Sequence, residues 1–529
     1  MNFLNAFSNR LKPLAGTLLL FGGLCISMAS ADKPLNVIFI AVDDMNDWVG
    51  VVGGHPQAKT PNMDRLVELT GAMVFNRAYC PATVCGPSRS SILTGLRPST
   101  TGVYGNGNNL KASPVAKDAT TLPQYFSEHG YHTLSSGKIF HKHPVWEGMD
   151  EGQWAFDEWA SNGGKTGVDT SKGPLNKLPM LKGGGGRKGR GLEFDWGPTG
   201  VPVEETGDYK TCAWAAEQLD RDFDGKPFFM AVGVSKPHLP FYVPQEFFNM
   251  HPLEDVQIPE IVPDDLDDIK NPKGKNKFKP SDDFQRVQNA NMFKEVTQAY
   301  LAAVSYADYC VGVVLDKLEK SPYADNTIVV IWGDHGWFLG EKLRYRKTHL
   351  WEESTRVPLI IRVPELTQPG SRSNRIVNLL DLYPTLAEWC GLPTKEGLEG
   401  VSFADLKSLA PEDERPTLTT MGYKNHSVRG DRYRYTRYDD GTEELYDHLK
   451  DPMERRNLIT DPEMKPVVKQ MRAYLPKHDE PRSPDNDIDK KRLRRTLGKI
   501  FKMDPKYRDM ANRGELDPEF VKSIFNETK

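Results

Sequence analysis

The stretch "LNVIFIAVDD", Leu35–Asp44, is an unbroken apolar run closed by two aspartates. A strand with one wet face alternates apolar and polar residues. An unbroken run has both faces covered, as central strands of a parallel sheet do between layers of helices. "TIVVIWGDHG" (Thr327–Gly336) repeats the arrangement and closes on Asp-His-Gly, while "PFFMAVGVSKPH" and "VPLIIRVP" read as further strands with polar ends. Helical segments intervene. "TPNMDRLVELTG" offers Thr60 as cap, Pro61 in the first turn and Gly71 as stop. "FKEVTQAYLAAVSYADYCVGVVLDKLEK" and "LLDLYPTLAEWCGL" carry apolar residues at helical spacing. This alternation predicts an α/β layered fold whose ligands sit beyond the carboxyl ends of the strands, where the aspartates, the Lys-Pro-His and the Asp-His all fall.

The chain's beginning is of another kind. Arg10 and Lys12 precede the apolar run Leu14–Met28, and Ala29-Ser30-Ala31 supplies small residues for cleavage. Residues 1–31 are therefore expected to be a secretory signal peptide and not a membrane span, with the mature chain exported to the periplasm or beyond. A formal net charge of −4 argues against wholesale nucleic-acid binding. Five cysteines follow the leader: Cys80, Cys85, Cys212, Cys310 and Cys390. They are scattered, odd in number and lack CxxC spacing, which disfavours a disulfide framework or a zinc site. Cys310 and Cys390 read as core packing.

The main domain is expected over 32–414. Within it Ser161–Gly191, with "KGGGGRKGRG", reads as a mobile surface insertion. From Arg415 the pattern turns to short strands, "SVRGDRYRYTRYDDGTEELYD", predicting an antiparallel hairpin in a smaller second domain over 415–529. Its tail after His478, "DKKRLRRTLGKIF", is charged and helix-like.

Two adjacent carboxylates at a strand end repel unless something positive sits between them, and a hard cation with oxygen ligands is the usual answer. Asp43-Asp44 alone also fits a cap or a turn. Asp334-His335 at a second strand end raises the metal reading. In "VCGPSRSSILTG" Pro87 fixes a turn, and Ser88–Thr94 can begin a helix whose amino end directs partial positive charge at Cys85. From the residues alone, Cys85 is either a small buried thiol or a low-pKa nucleophile.

Cys85, Pro87, Ser88 and Arg89, followed by Leu93-Thr94-Gly95, resemble the signature of the type I sulfatases, with Leu96 departing where many members carry a basic residue. "GKIFH" (Lys138, His141), "SKPHLPF" (Lys236, His238), "GDHGWFLGE" (Asp334, His335) and "RKTHLWEESTRVPLI" (Lys347) are similar to that family in order, and their forms resemble the iduronate 2-sulfatase branch with its bacterial polysaccharide-sulfatase relatives. "ELYDHLKDPMERRNL" resembles the family's C-terminal subdomain.

The resemblance implies an alkaline-phosphatase-like α/β/α domain with a large mixed, mainly parallel sheet, and a C-terminal α+β subdomain with an antiparallel sheet. It implies that a maturation enzyme, formylglycine-generating or anaerobic, oxidises Cys85 to Cα-formylglycine. One Ca2+ would be held by Asp43, Asp44, Asp334, His335 and residue 85. Lys138 and Lys347 would bind sulfate or hydrate oxygens, and Arg89 would hold the hydrate. His238 would protonate the leaving alcohol, and His141 would take the proton that re-forms the aldehyde. The substrate implied is a sulfated carbohydrate. Lys236 is expected to be structural or substrate-facing and Arg346 is an alternative to Lys347, while His349 matches no family position and a substrate-facing place for it stays open. Two rivals remain: a phosphoester or phosphonate hydrolase of the same superfamily, and a silent sulfated-glycan binder should Cys85 stay a thiol.

Overall fold

The computed structural model describes residues 34–141, 155–160, 167–169, 171, 173–179, 181, 193–406 and 415–484. The expected signal peptide, most of the expected insertion and the tail from 485 onward lie outside the described residues. In chain order the main sheet comprises β1 (Asn36–Val42), β2 (Met73–Tyr79), β3 (His132–Gly137), β4 (Glu158–Ala160) and β5 (Phe228–Val234). It continues with β6 (Thr327–Gly333), β7 (Arg356–Val357), β8 (Leu359–Arg362) and β9 (Ser371–Asn378). β1 lies at the centre, in parallel register with β5 on one side and β6 on the other. β3 and β4 extend the parallel set beyond β5. Beyond β6, β8 is antiparallel and hands on to β2, which β9 joins in parallel and β7 in antiparallel register.

The unbroken apolar run of β1 has its cause in this layering. Ile38, Ile40 and Val42 join one core, with Met63, Cys212 and Ala303 from helices α1 (Pro61–Glu68), α4 (Gly207–Gln218) and α5 (Phe293–Glu319). Val37, Phe39 and Ala41 join the other, with Ile92, Phe126 and Leu386 from α2 (Cys85–Thr94), α3 (Leu122–Glu128) and α6 (Leu382–Trp389). Each of the Val, Ile, Leu, Phe and Met side chains among them contributes about 1.5–3 kcal/mol by leaving water. Among the described helices α5 alone is long and apolar enough to cross a membrane, and it is a buried core helix.

Helix α1 starts where the sequence places it and Thr60 holds the cap position, but its side chain makes no capping bond to the first turn's amides. Its Oγ1 accepts Gly50 N–H at 2.8 Å and donates to Asp64, while the first helical amides, Asn62 N and Met63 N, donate to Asp308 of α5 at 3.1 and 2.8 Å. The cap comes from 246 residues away. The helix also ends earlier, at Glu68, before Gly71.

After residue 415 the expected antiparallel hairpin is part of a four-stranded antiparallel sheet: β10 (Thr417–Thr420), β11 (His426–Arg429), β12 (Tyr433–Arg437) and β13 (Glu443–Asp447). Helix α7 (Lys465–Arg472) lays Met471 on Val428, Tyr435 and Leu445. The expected mobile insertion is corrected in part. Leu178 belongs to the main core, and the amides of Leu175 and Asn176 are tied to Asp195 at 2.6 and 2.9 Å. Five cysteines are free thiols.

Candidate active site

Four carboxyl ends of the parallel set open on one place. β1 delivers Asp43 and Asp44, β3 Lys138, β5 His238, and β6 Asp334 and His335. The loop after β2 brings in Cys85 as the first residue of α2, which Gly95 ends in the left-handed conformation that glycine adopts at little cost. The amino end of α2 therefore faces the acids.

Asp44 is held in a left-handed backbone conformation, φ +61°, costly for a residue with a side chain. Its N–H donates to Asp334 Oδ1 at 3.0 Å, and its carbonyl accepts the Tyr300 hydroxyl at 2.8 Å. The same hydroxyl accepts Asn46 N–H at 2.9 Å. Arg89 is fully buried: Nε reaches Asp334 Oδ2 at 2.8 Å, a terminal nitrogen Asp43 Oδ1 at 3.2 Å, and the other the carbonyls of Lys138 and Ile139. The expectation that Arg89 holds the group at residue 85 is thus corrected. Its hydrogen bonds go to the acids and the β3 end, and it braces the carboxylates against their mutual repulsion.

Lys138 Nζ pairs with Asp43 Oδ2 at 2.5 Å, and Lys347 Nζ pairs with Asp44 Oδ1. Cys85 Sγ lies 3.2 Å from Lys347 Nζ, 3.2 Å from His335 Nε2 and 3.8 Å from Asp44 Oδ1. His335 Nδ1 faces the Gly336 carbonyl at 3.0 Å, which leaves Nε2 to the site. His238 Nε2 stands 3.8 Å from Asp44 Oδ2, a buried oxygen with no hydrogen-bond donor among the described residues.

The electrostatics follow from burial among these neighbours. Burial alone would raise the Asp43 carboxyl, but Lys138, His238 and Arg89 hold it well below the ordinary range. Asp44 is lowered too, against burial, by His238 and Lys347. Burial lowers the imidazoles of His335 and His238 from their ordinary value, and the neighbouring carboxylates pull the other way. Burial, then Asp43, push the Cys85 thiol up to about 12. That direction runs against the low-pKa nucleophile reading of the encoded thiol.

One ligand atom each from Asp43, Asp44, Cys85 and His238 lies within 4.8 Å of the others, as do those of Cys85, Asp334 and His335. Converging carboxylate oxygens, one of them an orphan, fit a hard divalent cation. The sequence-expected residues Asp43, Asp44, Cys85, Arg89, Lys138, His238, Asp334, His335 and Lys347 are thus brought together. His141 is half-buried, three residues beyond Lys138.

Two side readings are corrected. Arg346 is turned to Asp283, with Nε at 2.6 Å from its Oδ2, so only Lys347 enters the site. His349 does not face a substrate: its ring stacks on Trp351 at 4.9 Å and meets Phe278 and Phe338. Sequence reasoning missed Tyr300 and gave no role to Ser88, whose Oγ donates to the Asp334 carbonyl at 2.6 Å. Tyr300 carries no local signal, being one more aromatic on an apolar helix.

Residues 35–392 match the family Sulfatase, and residues 333–480 match the family N-sulphoglucosamine sulphohydrolase, C-terminal. The chain belongs to the sulfatase family. A sulfatase of Formosa agariphila is 40% identical over 462 residues, covering 84% of this chain and 87% of that one. Iduronate 2-sulfatase of Mus musculus is 32% identical over 421 residues, covering 71% and 73%. The solved structure of a 2-O GAG sulfatase superposes with a TM-score of 0.60 at 23% identity, covering 84% and 91%. This sulfatase accordingly has the alkaline-phosphatase-like architecture, a mixed and mostly parallel sheet with a separate antiparallel sheet near the C-terminus. It is an enzyme, and its acidic cluster is placed to hold a metal.

Proposed function

We propose that this sulfatase hydrolyses sulfate esters on a sulfated carbohydrate and releases inorganic sulfate. It does so with Cys85 oxidised to Cα-formylglycine and one Ca2+ held by Asp43, Asp44, Asp334, His335 and residue 85. The observation that carries the reading is the meeting of Cys85 Sγ, His335 Nε2 and Lys347 Nζ within 3.2 Å of the sulfur at a helix amino end, beside carboxylates of two strands. Support for the carbohydrate comes from the mouse relative, named for iduronate 2-sulfate.

Bound there, the cation supplies positive charge for the sulfuryl oxygens, and the modified residue 85 supplies a hydroxyl as nucleophile. The chain's own residues do the rest. Lys138 and Lys347 hold the anionic sulfate as compact point charges. Arg89 holds Asp43 and Asp334 in place. His238 gives a proton from Nε2 to the leaving alcohol oxygen, and His141 accepts the proton of the return step. The proposal includes export through the leader to the periplasm or beyond, and a formylglycine-generating or anaerobic maturating enzyme as partner.

The test is enzyme made alongside the maturation factor, with mass spectrometry of the Cys85 peptide and sulfate release across defined sulfated oligosaccharides, 2-O-sulfated uronates first. Aldehyde at residue 85 with sulfate release supports the reading. Aldehyde without release, or faster turnover of phosphonate monoesters, sinks it, and a persistent thiol leaves the silent glycan binder.

A further inference from the structure

His238 comes from an exposed-sided loop, yet its ring must meet the leaving oxygen to within a few tenths of an ångström. What holds it is not on its own segment. Asp208, in the first turn of α4, is buried and accepts two consecutive amides just past the end of β5: Ser235 N–H on Oδ1 and Lys236 N–H on Oδ2, each at 2.8 Å. The Lys236 ammonium then spans the loop, donating to the carbonyls of His238 at 2.9 Å and Pro240 at 2.7 Å. The His238 amide closes a turn on the Ser235 carbonyl at 3.0 Å.

Between the two carbonyls tied by Lys236 lies that of Leu239, and it faces His238 Nδ1 at 2.6 Å. A carbonyl only accepts, so this contact assigns the hydrogen to Nδ1. Nε2 is then the nitrogen that faces Asp44 and the site, 3.8 Å from Oδ2. Asp208 anchors the loop, Lys236 sets its carbonyls, and the middle carbonyl sets the ring direction, so that in the imidazolium form the Nε2 proton is the one turned to the site.

We propose that Asp208 and Lys236 are positioning residues for His238, acting only through its ring; this rests on the reading of His238 as the proton donor above. The probe is the sugar sulfate turned over fastest in the oligosaccharide panel, with 4-nitrophenyl sulfate beside it. Lys236→Met keeps the stem and removes the ammonium. On the sugar sulfate it should lower kcat by about 10- to 100-fold with little change in KM, a share of what general acid catalysis supplies. On 4-nitrophenyl sulfate, whose phenolate leaves without a proton, the loss should stay under about threefold. In a His238→Ala background Lys236→Met should add nothing.

A loss that is additive in that background, or equal on both esters, overturns the proposal. Should His238→Ala itself leave sugar and aryl esters equally affected, the assignment of His238 falls, and the brace with it. That result is distinguishable because it needs no change at position 236. Asp208→Asn keeps one acceptor oxygen and should give the same selective loss in weaker form, so a poorly folding variant at either position still leaves a decision.

Discussion

Lys347 Nζ stands 3.2 Å from Cys85 Sγ, while its neighbour Arg346 is turned away to Asp283. Arg346 and Thr348 both have positive φ, +70° and +75°, so the backbone swings one cation inward and the other out. A point charge aimed at the sulfuryl position belongs to transition-state stabilisation. Lys347→Met should therefore lower kcat by about 10²–10³-fold. Arg346→Met should change it by no more than about threefold, and steady-state kinetics on one substrate separates the two.

Removing the cation should cost stability as well as activity. Asp43, Asp44 and Asp334 crowd together, and a ligand that binds only the folded form at about 100 times its Kd adds about 2.7 kcal/mol. Chelation should lower Tm by a few degrees, and Ca2+ should restore it. In Asp44→Asn that response should shrink, measured by calorimetry with and without chelator.

Gly86 has a steric reason to be glycine. A Cβ there would meet Asn106 Oδ1 at 2.9 Å and Asn106 Cα at 3.2 Å, and the same Oδ1 accepts Gly86 N–H at 2.7 Å. Asn106 thus sits on the residue next to Cys85. Gly86→Ala should cost about 1–3 kcal/mol of stability through overpacking. Adding Asn106→Ala should recover part of the loss, which denaturant unfolding of both variants would reveal.

The strands were legible because burial on both faces leaves an apolar run such as β1, and the site because carboxyl strand ends are where such sheets bind. Cys85 at a helix start followed from Pro87 and the residues after it. Long-range partners were not legible. Asp308 capping α1 and Tyr300 under Asp44 bond to residues 246 and 256 positions away, and Asp208 beneath the His238 loop to residues 27 and 28 positions on, so no local pattern records them. The setting of His349 was not legible either: the backbone after Lys347 turns its ring into an aromatic box with Trp351.

Asp308 gives a pH signature of stability. It takes amide hydrogen bonds from Asn62 and Met63, yet burial pushes its carboxyl up to about 7. A carboxyl raised on folding favours the folded state fully below its unfolded value near 4, and loses that contribution as pH rises through about 7. Asp308→Asn should lower Tm most near pH 5 and progressively less toward pH 8, because only the wild-type side chain titrates. A gap that stays constant over that range would show that Asp308 keeps the same charge throughout.

A buried arginine is among the groups that fasten the C-terminal sheet to the catalytic layer, beside contacts such as Thr419 to the Cys80 carbonyl and Trp351 to Glu444. Arg434 of β12 has no exposed surface; its Nε pairs with Glu454 at 2.5 Å, and its terminal nitrogens reach Glu352, Ser427 and the Leu350 carbonyl. Burial alone would raise the Glu352 carboxyl, but Arg429, His448 and Arg434 hold it low, so it stays ionised. Arg434→Met would leave Glu352 and Glu454 with too few cations, which costs about 3–5 kcal/mol when one member of a buried pair is removed. Adding Glu352→Gln and Glu454→Gln should return much of that loss, since the penalty lies in the uncompensated charge rather than in the missing contact. Urea unfolding of wild type, single and triple variants measures this, and a triple variant no more stable than Arg434→Met would assign the fastening to packing instead.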